Sequence, residues 1–409
     1  MKTPRFWGLE GWYTAHLCYG VIQLVFIPIL VPTFIYEQTG SATQVGLAMG
    51  ILGLSGLLAP LLGGLADKYC AHRAAQLIGL AAIAIAALLF AASGASFALH
   101  LIASVFLGLG SASLLMINPA FIVSGGYDAE EEASKLTVLN QVAIVGSLLA
   151  GVGLAALTEA GVSFEIRFAV MFAVPLVALI ITAATNKQAA SRIRVDQVEQ
   201  GGSGTGGIKQ IVFSRFGLIL LAIFFVSIGQ GIITGQFPNY MGKVFAIHAA
   251  SSAMALSVSA VVSLVLLSLV GKTMAKVGGE KVWLLAVLVK VFVMLGLVVL
   301  ALSSNNAAYL PLALYVAYLQ GVTTVDMVQP AIAAKASRAG AGMTQGLLMF
   351  AIAGAYALGN FASGISADAF GWSSLAWLVA MVSTIALLLG LQCMRAKPIV
   401  EMHRASFNG

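Results

Sequence analysis

The chain has 409 residues, 60% of them hydrophobic and 9% charged, with a mean hydropathy of +0.99. A soluble domain carries roughly 25% charged residues, so a water-soluble enzyme or nucleic-acid-binding protein is excluded. The net charge of +6 reads instead as loops facing an anionic membrane leaflet. Three scattered cysteines, Cys18, Cys70 and Cys393, exclude a disulfide scaffold and a thiolate metal site, and no cofactor is expected.

The apolar runs are about 20 residues long, the length at which a helix crosses a bilayer. They lack the alternation of a barrel strand. Met1–Glu10 is polar, and the first apolar run ends in Glu37 without a small-residue cleavage site, so no cleavable signal peptide is expected. The fold class is an all-α membrane protein of twelve transmembrane helices. They are predicted at 12–36, 44–66, 74–93, 97–124, 135–158, 165–186, 214–241, 251–271, 282–302, 309–334, 342–369 and 372–394. Both termini then share one side. Of the 21 basic residues, all but Arg167, Lys243 and Lys290 lie on that side, which the positive-inside rule makes cytoplasmic. The expected location is the inner (plasma) membrane, multi-pass. The longest loop on that side, 187–213, contains the flexible run Gly201-Gly202-Ser203-Gly204-Thr205-Gly206-Gly207. It divides an N-terminal six-helix bundle, 1–186, from a C-terminal one, 214–409.

Span 1 carries His16, which can titrate near neutral pH, Gln23 near its middle, and the helix-interrupting Pro28 and Pro32. The turn after span 2 reads Gly63-Gly64-Leu65-Ala66-Asp67-Lys68-Tyr69-Cys70-Ala71-His72-Arg73, a tight basic knot with one acid. Span 4 has His100 near its outer end and Asn118-Pro119-Ala120 near its inner one. The acidic run Asp128 to Glu132 precedes span 5, where it suits the positive end of a helix. Span 7 contributes Gln230, Gln236, Asn239 and Tyr240, with Pro238 as an interruption.

In span 10, Tyr318, Val322, Asp326 and Gln329 share one helical face. Asp326 is the only acid well inside a predicted span, and a carboxylate there is functional by default. Lys290 in span 9 lies at matching depth. A structural pair with Asp326, a solute or proton role, or both in turn remain open. Glycines recur along spans 2, 5 and 11, as close helix contact requires. Aromatic residues, Tyr13, Tyr19, Phe26, Phe224, Phe225, Phe237, Tyr315 and Tyr318, offer an amphipathic lining or interfacial anchors.

The chain repeats itself. Gly63–Lys68 is matched 208 positions later by Gly271–Lys276, Asn118-Pro119-Ala120 by Gln329-Pro330-Ala331 after 211, Gly146 and Gly151 by Gly354 and Gly359 after 208, and Gln23 by Gln230 after 207. A duplicated six-helix unit places a solute site between its copies near the midplane. The second copy has Ala275 where the first has its acid.

Gly63–Arg73 resembles the loop between helices 2 and 3 of the major facilitator superfamily, Gly-x-Leu-Ala-Asp-Arg-x-Gly-Arg-Arg. Lys68 stands for the first Arg and Cys70 for the Gly. The two Pro-Ala segments resemble the superfamily's drug-exporter branch, although Ser104 stands where exporters carry a helix 4 arginine and span 5 lacks their proline. The resemblance implies alternating access, with helices 1, 4, 7 and 10 around the cavity. It also implies an inner gate of Gly63, Asp67, Lys68 and Arg73, in which Asp67 caps a helix of the other bundle. Solute-contact candidates are Gln23, Asn118, Gln230, Gln236, Asn239, Tyr240, Tyr318, Asp326 and Gln329, with Asp326 and Lys290 as the coupling pair.

The expected protein is a monomeric secondary transporter, not an enzyme. Its partners are a small organic solute, membrane lipids and a coupling proton, with no nucleic acid. Proton-driven efflux is the first expectation. Import of a nutrient, metabolite or siderophore-like solute, and lipid or lysolipid flipping, are the alternatives.

Overall fold

The computed structural model describes residues 9–193, 214–303, 309–337 and 341–395, and among them there is no strand. The glycine-rich stretch 201–207 and the basic residues Lys2, Arg5, Arg194, Lys209, Arg338, Lys397 and Arg404 lie outside the described residues. The first six long helices are α1 (Gly11–Thr39), α2 (Ala42–Lys68), α3 (His72–Ser93), α4 (Phe97–Val123), α5 (Ala129–Glu159) and α6 (Phe164–Ala190). The last six are α7 (Arg215–Thr234), α8 (Ala249–Val277), α9 (Gly279–Leu302), α10 (Leu310–Ala336), α11 (Ala341–Phe370) and α12 (Ser374–Arg395). Eleven of these are long and apolar enough to cross a membrane; α10, which carries Asp326, falls short of that measure.

Three helices are interrupted, each for a local reason. In α1, Ile22–Leu30 is wound as a π-helix around Pro28. A proline has no N–H to give and its ring crowds the carbonyl one turn back, and wider winding relieves both. Helix α7 stops at Thr234 and a short helix, Phe237–Phe245, restarts with Pro238 in its first turn, where a missing N–H costs nothing. Helix α2 tightens at Gly56–Leu58 before its last segment, Ala59–Lys68. The prolines of α1 and α7 mark the first two breaks in the sequence; the third was not expected.

Helix starts follow side-chain capping. Asp128 accepts from the Glu131 amide at 2.8 Å, with Glu130, Glu131 and Glu132 in the same turn, so the acidic run does serve a helix end. Ser41 accepts from the Gln44 amide and Ser214 from the Gly217 amide.

The first six helices meet the last six along α2–α11 and α5–α8. Glycine makes the first contact possible. A Cβ on Gly46 would lie 2.5 Å from the Asn360 carbonyl oxygen, and one on Gly364 2.5 Å from that of Ala42. The contact ends at Gly56, whose Cβ would still touch Ala353; Gly346 and Gly354 face open space. In α5, Gly151 meets Ser257 of α8, whereas Gly146 packs on Leu17 of α1 and so serves its own bundle. Only some of the glycines expected between the bundles lie there.

Candidate solute cavity

The α2–α11 contact is tight at one end and fades toward the other, here termed the closed and the open end. The closed end bears Asp368, near the C-terminus of α11; the open end bears Asp67, at the end of α2.

At the closed end the Asp368 carboxylate receives the Ala42 N–H at 3.1 Å, the Thr43 N–H at 2.8 Å and the Ser41 hydroxyl at 3.2 Å. An anion thus sits on the first free amides of α2, where the helix dipole favours it. Beside it the Gln236 side-chain amide donates to the Ala42 carbonyl at 2.9 Å, and that of Asn239 to the Pro32 carbonyl at 3.0 Å. Tyr36 meets Trp372 edge-on at 5.2 Å and lies 4.9 Å beneath the Lys243 ammonium. Gln236 and Asn239 therefore clamp the end of the cavity instead of lining it, because the break after Thr234 turns them onto α1 and α2. Tyr240 is fully buried beside Phe245 at this same end, away from Asp326.

At the open end charges are paired within each set of helices. Asp67 takes a hydrogen bond from His72 Nε2 at 2.8 Å, Arg192 binds Glu10 at 2.9 Å, and Arg215 binds Glu280 at 3.0 Å. The expected local partners of Asp67 lie elsewhere. The Lys68 ammonium sits 5.3 Å over the Tyr69 ring, and Arg73 bonds Asn186 and the Ala183 carbonyl of α6, both at 3.0 Å. Gly63 packs toward Met116 of α4. Among the described residues Asp67 makes no hydrogen bond or ion pair with α7–α12. Cys70, at the position where the superfamily loop has glycine, adopts φ 49°, the left-handed conformation that explains that preference.

Between the two ends lies Asp326. Its side chain is exposed to the cavity although it stands mid-helix. It accepts from Gln230 of α7 at 3.3 Å and from Gln329 of α10 at 3.0 Å. Tyr19 of α1 and Tyr356 of α11 are half-buried, and Tyr318 of α10 is fully buried. Lys290 is fully buried, with its stem against Gly321 and its ammonium 5.1 Å from the Tyr318 ring centre. Among the described residues the ammonium makes no hydrogen bond, so the expected direct Lys290–Asp326 pair is replaced by a cation–π contact. Gln23 lies one turn beyond Tyr19 in α1, with a buried carbonyl oxygen that has no partner; the Gln329 oxygen and the Tyr318 hydroxyl are likewise unpartnered. Unmet buried polar atoms cost about 1–3 kcal/mol each.

Asn118 is not in this group. It is sealed inside the first six helices between Gln76 of α3 and His16 of α1. Tyr356, Asp368, Gln76 and Asn186 were not singled out from the sequence. Only Asp368 carried a signal, an acid at the predicted end of span 11. A separate apolar groove of about 900 Å³, lined by Leu295, Ile365, Trp377 and Met381, lies on the flank of α9, α11 and α12.

The nucleoside transporter NupG, in a point-mutant form, superposes with a TM-score of 0.75 at 12% identity, covering 94% of this chain and 98% of that one. A D-xylose–proton symporter gives 0.68 at 15%, covering 93% and 95%. The peptide transporter POT bound to alafosfalin gives 0.74 at 14%, covering 95% and 96%. At such identities the likeness is one of fold. Among curated proteins, none matches this sequence. The family model described as Major Facilitator Superfamily matches residues 12–351, and with that span of the sequence matched the chain belongs to the major facilitator superfamily of membrane transporters.

Proposed function

We propose that this chain imports a small, polar organic solute together with a proton, by rocking two six-helix bundles, 1–186 and 214–409, joined through 187–213. The observation that carries the reading is the mid-membrane Asp326 carboxylate. It is open to the cavity, cradled by Gln230 and Gln329, and faces a buried lysine with no hydrogen bond of its own. A carboxylate so placed is costly unless it has work to do. The exposed Asp326 carboxylate and the half-buried Gln23 side chain suit a solute rich in hydroxyl, carbonyl or amide groups, and the half-buried Tyr19 and Tyr356 supply flat apolar walls. Protonation of Asp326 would release its attraction for Lys290 and change the charge that the solute meets. The basic bias of the Asp67 end supports a cytoplasmic position for that end in the inner membrane, so this conformation is open inward. Uptake replaces the expected efflux here. The similar folds are named for nucleoside, xylose–proton and peptide transport, and the polar cavity suits such solutes better than apolar drugs or lipids.

The test is transport by the purified full chain in proteoliposomes, with uridine, D-xylose and the dipeptide Ala-Ala as labelled probes, with and without a pH gradient. Accumulation of at least one probe with an acidic exterior is expected. Extrusion under the same gradient would restore the efflux reading. Transport indifferent to the gradient would remove the proton.

A further inference from the structure

A line of polar side chains, buried except at its Arg73 end, runs through the first six helices. Arg73 Nε donates to Asn186 Oδ1 at 3.0 Å, Asn186 Nδ2 to Gln76 Oε1 at 3.1 Å, Gln76 Nε2 to Asn118 Oδ1 at 2.8 Å, and Asn118 Nδ2 meets His16 Nδ1 at 3.1 Å. Gln76, Asn118 and Asn186 are each fully buried. The direction of this chain follows from one end. A guanidinium has donors and no acceptor, so Asn186 must turn its oxygen to Arg73 and its NH₂ to Gln76. Gln76 must then offer its oxygen to Asn186 and its NH₂ to Asn118. Asn118 in turn has only its NH₂ left for His16. Nδ1 of His16 is therefore an acceptor, and the ring proton sits on Nε2.

Among the described residues Nε2 has no hydrogen-bond partner, and the His16 side chain as a whole is nearly buried, at 3% exposure. The His16 ring stacks on Tyr19, 5.3 Å between centroids and 15° between planes. Tyr19 is only half-buried and lies one turn before Gln23 on α1. His16, Tyr19 and Gln23 follow i, i+3, i+7, one face of a helix.

We propose that His16 is a solute-binding residue of the cavity wall. Its Nε2–H is a hydrogen-bond donor of fixed direction, aimed at a carbonyl or hydroxyl oxygen of the solute. Arg73, Asn186, Gln76 and Asn118 are positioning residues that hold its tautomer. The site thus has an acceptor pole at Asp326 on one wall and a donor pole at His16 on the other. It selects solutes that carry a donor at one end and an oxygen acceptor at the other. The inference rests on the transport reading only in taking the cavity as a solute site.

The test uses the full-length protein in nanodiscs with ring-¹⁵N-labelled histidine, the His16 signals being assigned by their loss in His16→Asn. The intact protein is expected to show the Nε2–H tautomer alone. Gln76→Leu, which cuts the chain without touching His16, should give a mixture of both tautomers. Uridine, D-xylose and Ala-Ala are then added in turn; at least one should move the Nε2 signal and leave Nδ1 in place. In transport, His16→Asn keeps an acceptor for Asn118 but loses the Nε2 donor. It should raise KM roughly five- to tenfold with kcat little changed. An Nδ1–H tautomer, a mixture in the intact protein, or an Nε2 signal unmoved by all three probes overturns the proposal. A single Nε2–H tautomer that responds to a probe the protein does not transport would count against the transport reading and leave this one standing.

Discussion

The two ends of the cavity solve the same problem in opposite ways. At the Asp368 end, a carboxylate from α11 reaches across to the free amides of α2, and two side-chain amides bind backbone carbonyls of the other set of helices. At the Asp67 end, every ion pair described is internal to one set: Asp67 with His72, Arg192 with Glu10, Arg215 with Glu280. One end uses its polar groups to link the two sets of helices; the other satisfies them within each set. The charge count of each end is therefore a poor guide to whether it is shut. What matters is whether a group's partner lies in its own bundle or in the other.

The largest effect is expected from the charge between the two ends. Asp326→Asn keeps the shape and the two amide contacts but cannot take up a proton. Accumulation driven by a pH gradient should fall at least tenfold while solute counterflow and surface expression survive, as measured side by side in proteoliposomes. Unchanged gradient-driven accumulation would sink the coupling role.

Next comes the shut end. Asp368→Ala removes three hydrogen bonds from the start of α2. They lie at an exposed site, so solvent screening reduces them to about 1–2 kcal/mol together, a five- to thirtyfold shift in the balance of conformers. Spin labels at Gln38 and His248, both exposed at that end, should report a new population at longer distance. An unaltered distance distribution would show that the glycine-lined α2–α11 contact closes the end without Asp368.

A smaller effect is expected at the open end. Asp67 is more than half exposed and bonds only His72, so Asp67→Asn should leave solute affinity within about twofold, the change a weak surface contact gives. If Asp67 latches the opposite conformation, turnover should slow several-fold. A loss of affinity with turnover intact would remove the latch. The smallest change is Cys70→Gly in the adjoining turn. Relieving a left-handed non-glycine residue should stabilise the protein by about 0.5–1 kcal/mol, read as a rise in Tm.

Much of the architecture was legible because membrane helices announce themselves by apolar length, and the twelve predicted spans match helices to within a few residues at most ends. The prolines likewise gave away the breaks in α1 and α7. The site was legible where one residue type in one place has few uses, as with Asp326 and its neighbour Gln329. It was not legible for amides. Gln230, Gln236, Asn239 and Asn118 have the same chemistry on paper, yet one cradles the carboxylate, two clamp the shut end and one is sealed in a bundle. Which of these an amide does depends on a rotation of the helix by one residue, or on a break such as that after Thr234. Periodicity cannot resolve either. His16 offered only a titration near neutral pH in the sequence, because the amides hydrogen-bonded in series to it come from three other helices.

Asp368 has a further consequence. Two of its three donors are main-chain N–H groups of Ala42 and Thr43. The contact therefore recognises where a helix begins, whatever side chains begin it. Substitutions at 42 and 43 that keep the helix start and fit the α11 contact should leave it intact, and no co-varying partner residue need exist. A search for complementary charges would pass it over, because its counter-charge is the end of a helix.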